Sequence, residues 1–127
     1  MEKIKPEFQN KNNGHYTPGI ISNGMLYVSG QLAIAPDTKQ VPKGGIEEHA
    51  KLALKNVDRV LKEAGLFRDD IVQCRVYISD IDQWDIVDQV YSDFFGKHKP
   101  ARIVLPVGKL HYGSLIEVEA IAEVNQR

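Results

Sequence analysis

The stretch GIEEHAKLALKNVDRVLKEA, residues 45–64, is where the fold is read. Ile46, Ala50, Ala53, Leu54, Val57, Val60, Leu61 and Ala64 fall on one stripe at a period of 3.6 residues. That spacing predicts an amphipathic helix. Glu47 and Glu48 occupy its first turn, where the helix dipole favours negative charge. Gly65 suits the left-handed position that ends many helices. Such a helix buries one face only and needs a second layer to pack on.

The flanks supply strands for that layer. Two apolar runs, residues 19–22 and 25–32, surround Asn23-Gly24, a dipeptide that tolerates positive φ and marks a hairpin. Strict alternation places Met25, Tyr27, Ser29 and Gln31 on one face, and Leu26, Val28, Gly30 and Leu32 on the other. Residues 35–44 read as a loop, as do the first 18. Beyond the helix, residues 71–79 alternate Val72, Cys74, Val76 and Ile78 against Gln73, Arg75, Tyr77 and Ser79. A second helix is predicted over 82–95, with Trp84, Val87, Val90, Tyr91, Phe94 and Phe95 as its apolar stripe. Asp80 and Gln83 resemble a capping box, and Gly96 and Pro100 stop the helix. Strands over 101–107 and 115–124 close the chain. In the last, Ile116, Val118, Ala120, Ala122 and Val124 share a face opposite Glu117, Glu119 and Glu123.

The order ββ-α-β-α-ββ predicts an α+β domain spanning residues 1–127, with two helices on one face of a mixed sheet. The other sheet face carries Tyr27, Ser29, Tyr77 or their opposites. It is too apolar to leave in water, which predicts cover by another subunit.

Composition bounds the function. The 127 residues are 43% hydrophobic and 26% charged, as in an ordinary globular domain. Sixteen basic and 17 acidic residues give a net charge of -1, against a partner held through nucleic-acid phosphates. No run of about 18 apolar residues predicts a membrane span. Met1 to Pro6 has no apolar core after its lysines, so no secretory signal is read there and a reducing cytoplasm is expected. Cys74 alone makes neither an internal disulfide nor a multi-cysteine zinc site, and reads as a buried small hydrophobe. His15, His49, His98 and His111 lack ligand spacing, and Gly44-Gly45 lacks the lysine of a phosphate loop. Trp84 reads as core.

Several stretches together resemble the RidA/YjgF family of enamine and imine deaminases. They are Gly19-Ile20-Ile21, Tyr27-Val28-Ser29-Gly30-Gln31, Val90-Tyr91-Ser92-Asp93-Phe94-Phe95, Pro100-Ala101-Arg102 and Ile116-Glu117-Val118-Glu119-Ala120-Ile121-Ala122. The resemblance runs from Tyr16 to Val124. It implies a chorismate-mutase-like fold and a homotrimer whose sheets form a central barrel, with active sites in clefts between subunits. It also implies hydrolysis of 2-aminoacrylate and related 2-imino acids to 2-keto acids and ammonia, with no cofactor and no metal. The partners implied are a small imino or keto acid and two further copies of the chain, with no nucleic acid and no membrane.

An imine of a 2-keto acid needs a carboxylate clamp, a positioned water and a proton source. Arg102 matches the family's substrate arginine, and a guanidinium pairs a carboxylate bidentately while staying charged. Glu117 matches the glutamate that holds the attacking water. Glu119 on the same face can raise its pKa, and is itself read as structural. Tyr16, Ser29 and Gly30 match pocket residues: the phenol and hydroxyl as polar contacts, the glycine as a wall a ligand can approach closely. Gly30 also reads as a β-bulge. Val104 stands in the pocket where many relatives carry Cys, against a thiol mechanism. Asp88 stands where many carry an Asn facing the pocket; on the second helix it reads first as a solvated surface residue and second as a pocket contact. Leu110-His111-Tyr112-Gly113 replaces the family's usual turn at the cleft mouth, and Pro106 is unusual in its strand. Two rival readings are a trimeric binding or regulatory protein for 2-keto acids and an endoribonuclease, the latter disfavoured by charge.

Overall fold

The computed structural model describes residues 1–7 and 14–124. Among the described residues, six strands form one sheet: β1 (Glu2–Ile4), β2 (Gly19–Ser22), β3 (Met25–Leu32), β4 (Ile71–Ile78), β5 (Ala101–Pro106) and β6 (Ile116–Glu123). Their order is β1-β2-β3-β6-β4-β5. Among the described strands only β4 and β5 pair in parallel. Helix α1 (Ile46–Glu63) joins β3 to β4, and α2 (Trp84–Phe95) is the crossover from β4 to β5. The two helices pack on each other, and α1 packs on β3 and β6. This is the expected mixed sheet with two helices.

The core lies where the helix stripes meet the sheet. Ala50, Ala53, Val57, Val60 and Leu61 of α1 are fully buried against Leu26, Cys74, Val76, Val118 and Ala122. Burial of each large apolar side chain contributes ~1.5–3 kcal/mol. The hairpin turn has Asn23 at φ 54° and Gly24 at φ 76°, and Gly65 ends α1 at φ 75°, as the sequence predicts.

Three expectations are corrected. The first 18 residues are not all loop, because Glu2–Ile4 pairs antiparallel with Gly19–Ile21 and buries Ile4. The capping pattern Asp80/Gln83 does not start α2 directly. Asp80 accepts from the Asp82 N–H at 2.9 Å and caps a separate turn over Ile81–Gln83, after which α2 begins at Trp84. The alternation in β3 breaks: the register with β6 slips by one residue between Val28 and Gln31. The bulge at Ser29-Gly30 turns Gln31 inward, where it is buried, and Gly30 outward. The loop reading of residues 8–13 lies outside the described residues.

Buried polar residues tie the connecting segments down. The Asn56 amide donates to the carbonyls of Leu32 and Ile34, each at 2.9 Å, and its oxygen accepts from Arg59. His49 accepts from the Leu115 N–H at 3.1 Å through Nδ1, and its Nε2 lies 3.2 Å from the Pro42 carbonyl. Ser114 accepts from the Ala33 N–H and donates to the Ile116 carbonyl. Together these residues set the course of the chain after β3. Asn56→Leu leaves two carbonyls unpaired and is expected to cost about 1–3 kcal/mol of stability. Urea denaturation with an unchanged m-value checks it.

Candidate active site

The bulge in β3 builds a site. With Gly30 facing outward, Glu117 of β6 lays its carboxylate into the space a Cβ there would fill. Any side chain at position 30 collides with Glu117, which explains glycine at this position without an unusual φ. Gly30 therefore serves first as the seat of Glu117. Ser29 works on the neighbouring segment. Its hydroxyl donates to the Thr17 carbonyl at 2.5 Å, and its N–H to the Pro18 carbonyl at 2.9 Å. The hydroxyl proton is thus engaged within the chain, and what Ser29 offers a ligand is an acceptor. These bonds hold Tyr16 beside the bulge, with Gly14 packed against its ring.

The result is a cleft of about 520 Å³. It lies in the range that takes small organic ligands, roughly 300–1,000 Å³. Tyr16, Ser29, Gly30 and Glu117 all line it. The sequence reading missed Asn56, Lys39 and the apolar wall of Leu32, Ile34 and Pro36. The signal for Asn56 was an amide inside the apolar stripe of α1; nothing in the sequence marked the loop residues. His111 and Tyr112 also line the cleft, so the variant turn does reach its mouth. Tyr112 adopts φ 62° ahead of Gly113 at φ 78°, and its ring packs on His111 at 3.9 Å between centroids.

Electrostatics favour neutral forms here. Burial, and secondarily the Glu119 charge, hold the Glu117 carboxyl above the ordinary glutamate range. Glu119 is otherwise committed: the Tyr77 hydroxyl donates to it at 2.6 Å and Arg75 lies 3.5 Å away. Burial, then Glu117 and Tyr112, push the Tyr16 phenol up, so it stays a proton donor at neutral pH.

Arg102 and Val104 lie elsewhere in the chain. Both point to the helix side of β5, and Val104 packs against the core. The Arg102 Nη1 donates to Asp88 at 2.7 Å, and the guanidinium carbon lies 5.3 Å from the Trp84 ring and 4.9 Å from the Tyr91 ring. Asp88 is therefore an ion-pair partner of Arg102 while its side chain stays open to solvent. Trp84 is half-buried over Arg102 and is not part of the core. Below it Cys74 is fully buried, and burial pushes its thiol up to about 11. The Tyr91 hydroxyl is buried beside the Cys74 thiol, and burial, then Cys74, raise it as well.

Fold and cleft define a two-layer α+β protein with a cleft of small-molecule size at the bulge of its sheet. The sequence profile of the family described as Endoribonuclease L-PSP matches residues 8–124. The chain is 38% identical over 121 residues to a RutC family protein of Pyrococcus abyssi, covering 95% of each. It is 37% identical over 109 residues to the human 2-iminobutanoate/2-iminopropanoate deaminase, covering 86% of this chain and 80% of that protein. Its fold is similar to the YjgF gene product of E. coli at a TM-score of 0.91 and 32% identity, covering 98% and 100% of the two chains. E. coli TdcF, solved with bound serine, matches at 0.83 and 32%, covering 88% and 90%. The chain belongs to the YjgF/RidA family.

The raised Glu117 pKa has a sign that can be tested. The folded protein disfavours ionised Glu117, so its contribution to stability is fully present below the unfolded-state pKa and is lost as pH rises through the folded one. Glu117→Gln escapes that loss. Its melting temperature should match wild type near pH ~4 and exceed it near pH ~7; thermal melts across that range check the difference.

Proposed function

We propose that the protein hydrolyses reactive enamines and imines, 2-aminoacrylate and related 2-imino acids, to 2-keto acids and ammonia. The observation that carries this reading is the Glu117 carboxyl, seated over Gly30 and held above its ordinary pKa beside the Tyr16 phenol. In its ionised form such a carboxylate, made more basic by the raised pKa, can accept a proton from an attacking water and return it to the departing nitrogen. Tyr16 supplies a second proton donor. Relatives 37–38% identical are named deaminases of two such imines. The high pKa of Cys74 and the presence of Val104 remove thiolate chemistry from the site.

The carboxylate clamp assigned to Arg102 needs a second copy. Arg102 is in register with Cys74, and Cys74 with Ala120, three residues from Glu117. Two strand spacings and three residues put their Cα atoms roughly 14 Å apart, with side chains on opposite faces. One chain therefore does not bring the clamp to the water-holding glutamate. A homotrimer supplies both, with Arg102 from one copy facing Glu117 of the next. The exposed outer sheet face, with Tyr27, Ile103 and Leu105, gives such an assembly apolar surface to bury.

Ammonia release from 2-aminoacrylate, made in situ by a dehydratase, is the direct assay. Arg102→Ala and Glu117→Gln should each lower kcat/KM at least ~100-fold, within the range of one lost acid-base or orienting group. Full activity in either variant contradicts the mechanism. Gly30→Ala should lose activity to a similar degree by displacing Glu117, while leaving Arg102 untouched.

The description of the matched family keeps an endoribonuclease reading in view. A net charge of -1 gives RNA little to bind. RNA cleavage that survives Arg102→Ala and repeated purification would favour it.

A further inference from the structure

Asp88 occupies an odd place for a site that receives anions. Trp84, Asp88 and Tyr91 stand at i, i+4 and i+7 on one face of α2, and all three meet the same guanidinium. The rings flank Arg102, and Asp88 binds Nη1 at 2.7 Å. That bond engages one of the five donors a guanidinium carries. The Arg102 side chain is 24% exposed and that of Asp88 43%, so the pair sits within reach of solvent and solute. A carboxylate arriving at the same guanidinium meets a resident negative charge a few ångströms away.

We propose that Asp88 is a positioning and selectivity residue: it aligns Arg102 through Oδ1 and, by its charge, weakens the arginine's hold on ligand carboxylates. This rests on the reading of Arg102 as the carboxylate clamp. The two effects separate chemically. An amide at position 88 keeps the acceptor that aligns the guanidinium and removes the charge. An arginine with a resident counter-ion has less net charge to offer, so it discriminates less strongly between a carboxylate and a neutral group of the same shape. Tyr91 and Trp84 favour the cation without neutralising it, and so supply alignment alone. The consequence is a clamp tuned for turnover: 2-keto acid products leave more readily than from an unpaired arginine.

The test is the affinity ratio for an acid and its amide. Calorimetric titration of the assembled protein with 2-oxobutanoate and with 2-oxobutanamide gives that ratio. Asp88→Asn should bind the acid about three- to tenfold more tightly, with amide affinity changed less than twofold. Asp88→Ser, which also removes the charge, should raise the acid-to-amide ratio in the same direction. A change in fold or alignment alone moves both ligands together, so an unchanged or lowered ratio in both variants overturns the proposal. Arg102→Ala separates the two layers of the reading. If it abolishes acid preference while the Asp88 variants leave the ratio alone, the clamp stands and the role of Asp88 fails. If Arg102→Ala keeps the acid preference, the clamp fails, and the proposal with it.

Discussion

A strand sends each side chain to one face of its sheet, and that rule governs how this protein can work. Arg102 faces the helices and Glu117 faces away from them, two strands apart. No rotamer brings them together within one chain. Everything functional here follows from how the sheet handles that separation. The helix-side face spends its apolar surface on a core, while the other keeps Tyr27, Ile103 and Leu105 exposed. A carboxylate clamp and a water-holding carboxyl can share a site only if a second sheet approaches.

The bulge in β3 is the local device that prepares one half of that site. One inserted residue exposes Gly30, and the missing side chain becomes the berth for Glu117. Ser29, beside it, fastens the segment that presents Tyr16. Burial then keeps both the carboxyl and the phenol protonated to higher pH than usual. The other half is prepared by α2, whose helical repeat stacks Trp84, Asp88 and Tyr91 against one guanidinium. Each half is held by contacts within the chain, Glu117 over Gly30 and Arg102 by Asp88 and two rings.

Much of this was legible in the residues. The α1 stripe, the Asn23-Gly24 turn and the strand alternations carry their own periodicity, so the two-layer fold follows from short-range pattern. β1 did not, because three residues with one buried isoleucine make no period; its pairing with β2 is a tertiary fact. The side of Gln31 was misread since a bulge breaks alternation without leaving a composition signal beyond a glycine. Tyr16, Ser29, Gly30 and Glu117 were singled out by resemblance, and the fold gathers them into one cleft. The partnership of Arg102 with Asp88 and Trp84 was not legible, because it joins an edge strand to a helix through side chains alone. Asp88 and Trp84 looked like a surface charge and a core ring for the same reason: helical position says which face, not which neighbour.

The central claim is that one working site takes Arg102 and Glu117 from different copies, and mixing inactive variants tests it most directly. Arg102→Ala and Glu117→Gln chains, unfolded together and refolded as one population, form some sites with both residues intact. If the residues come from different copies, imine hydrolysis should return to about a quarter of the wild-type rate at equal mixing, the fraction of neighbour pairs that unite the two intact residues. If activity in the mixture stays at the level of the separate variants, both residues act from one chain or not at all, and the account is contradicted.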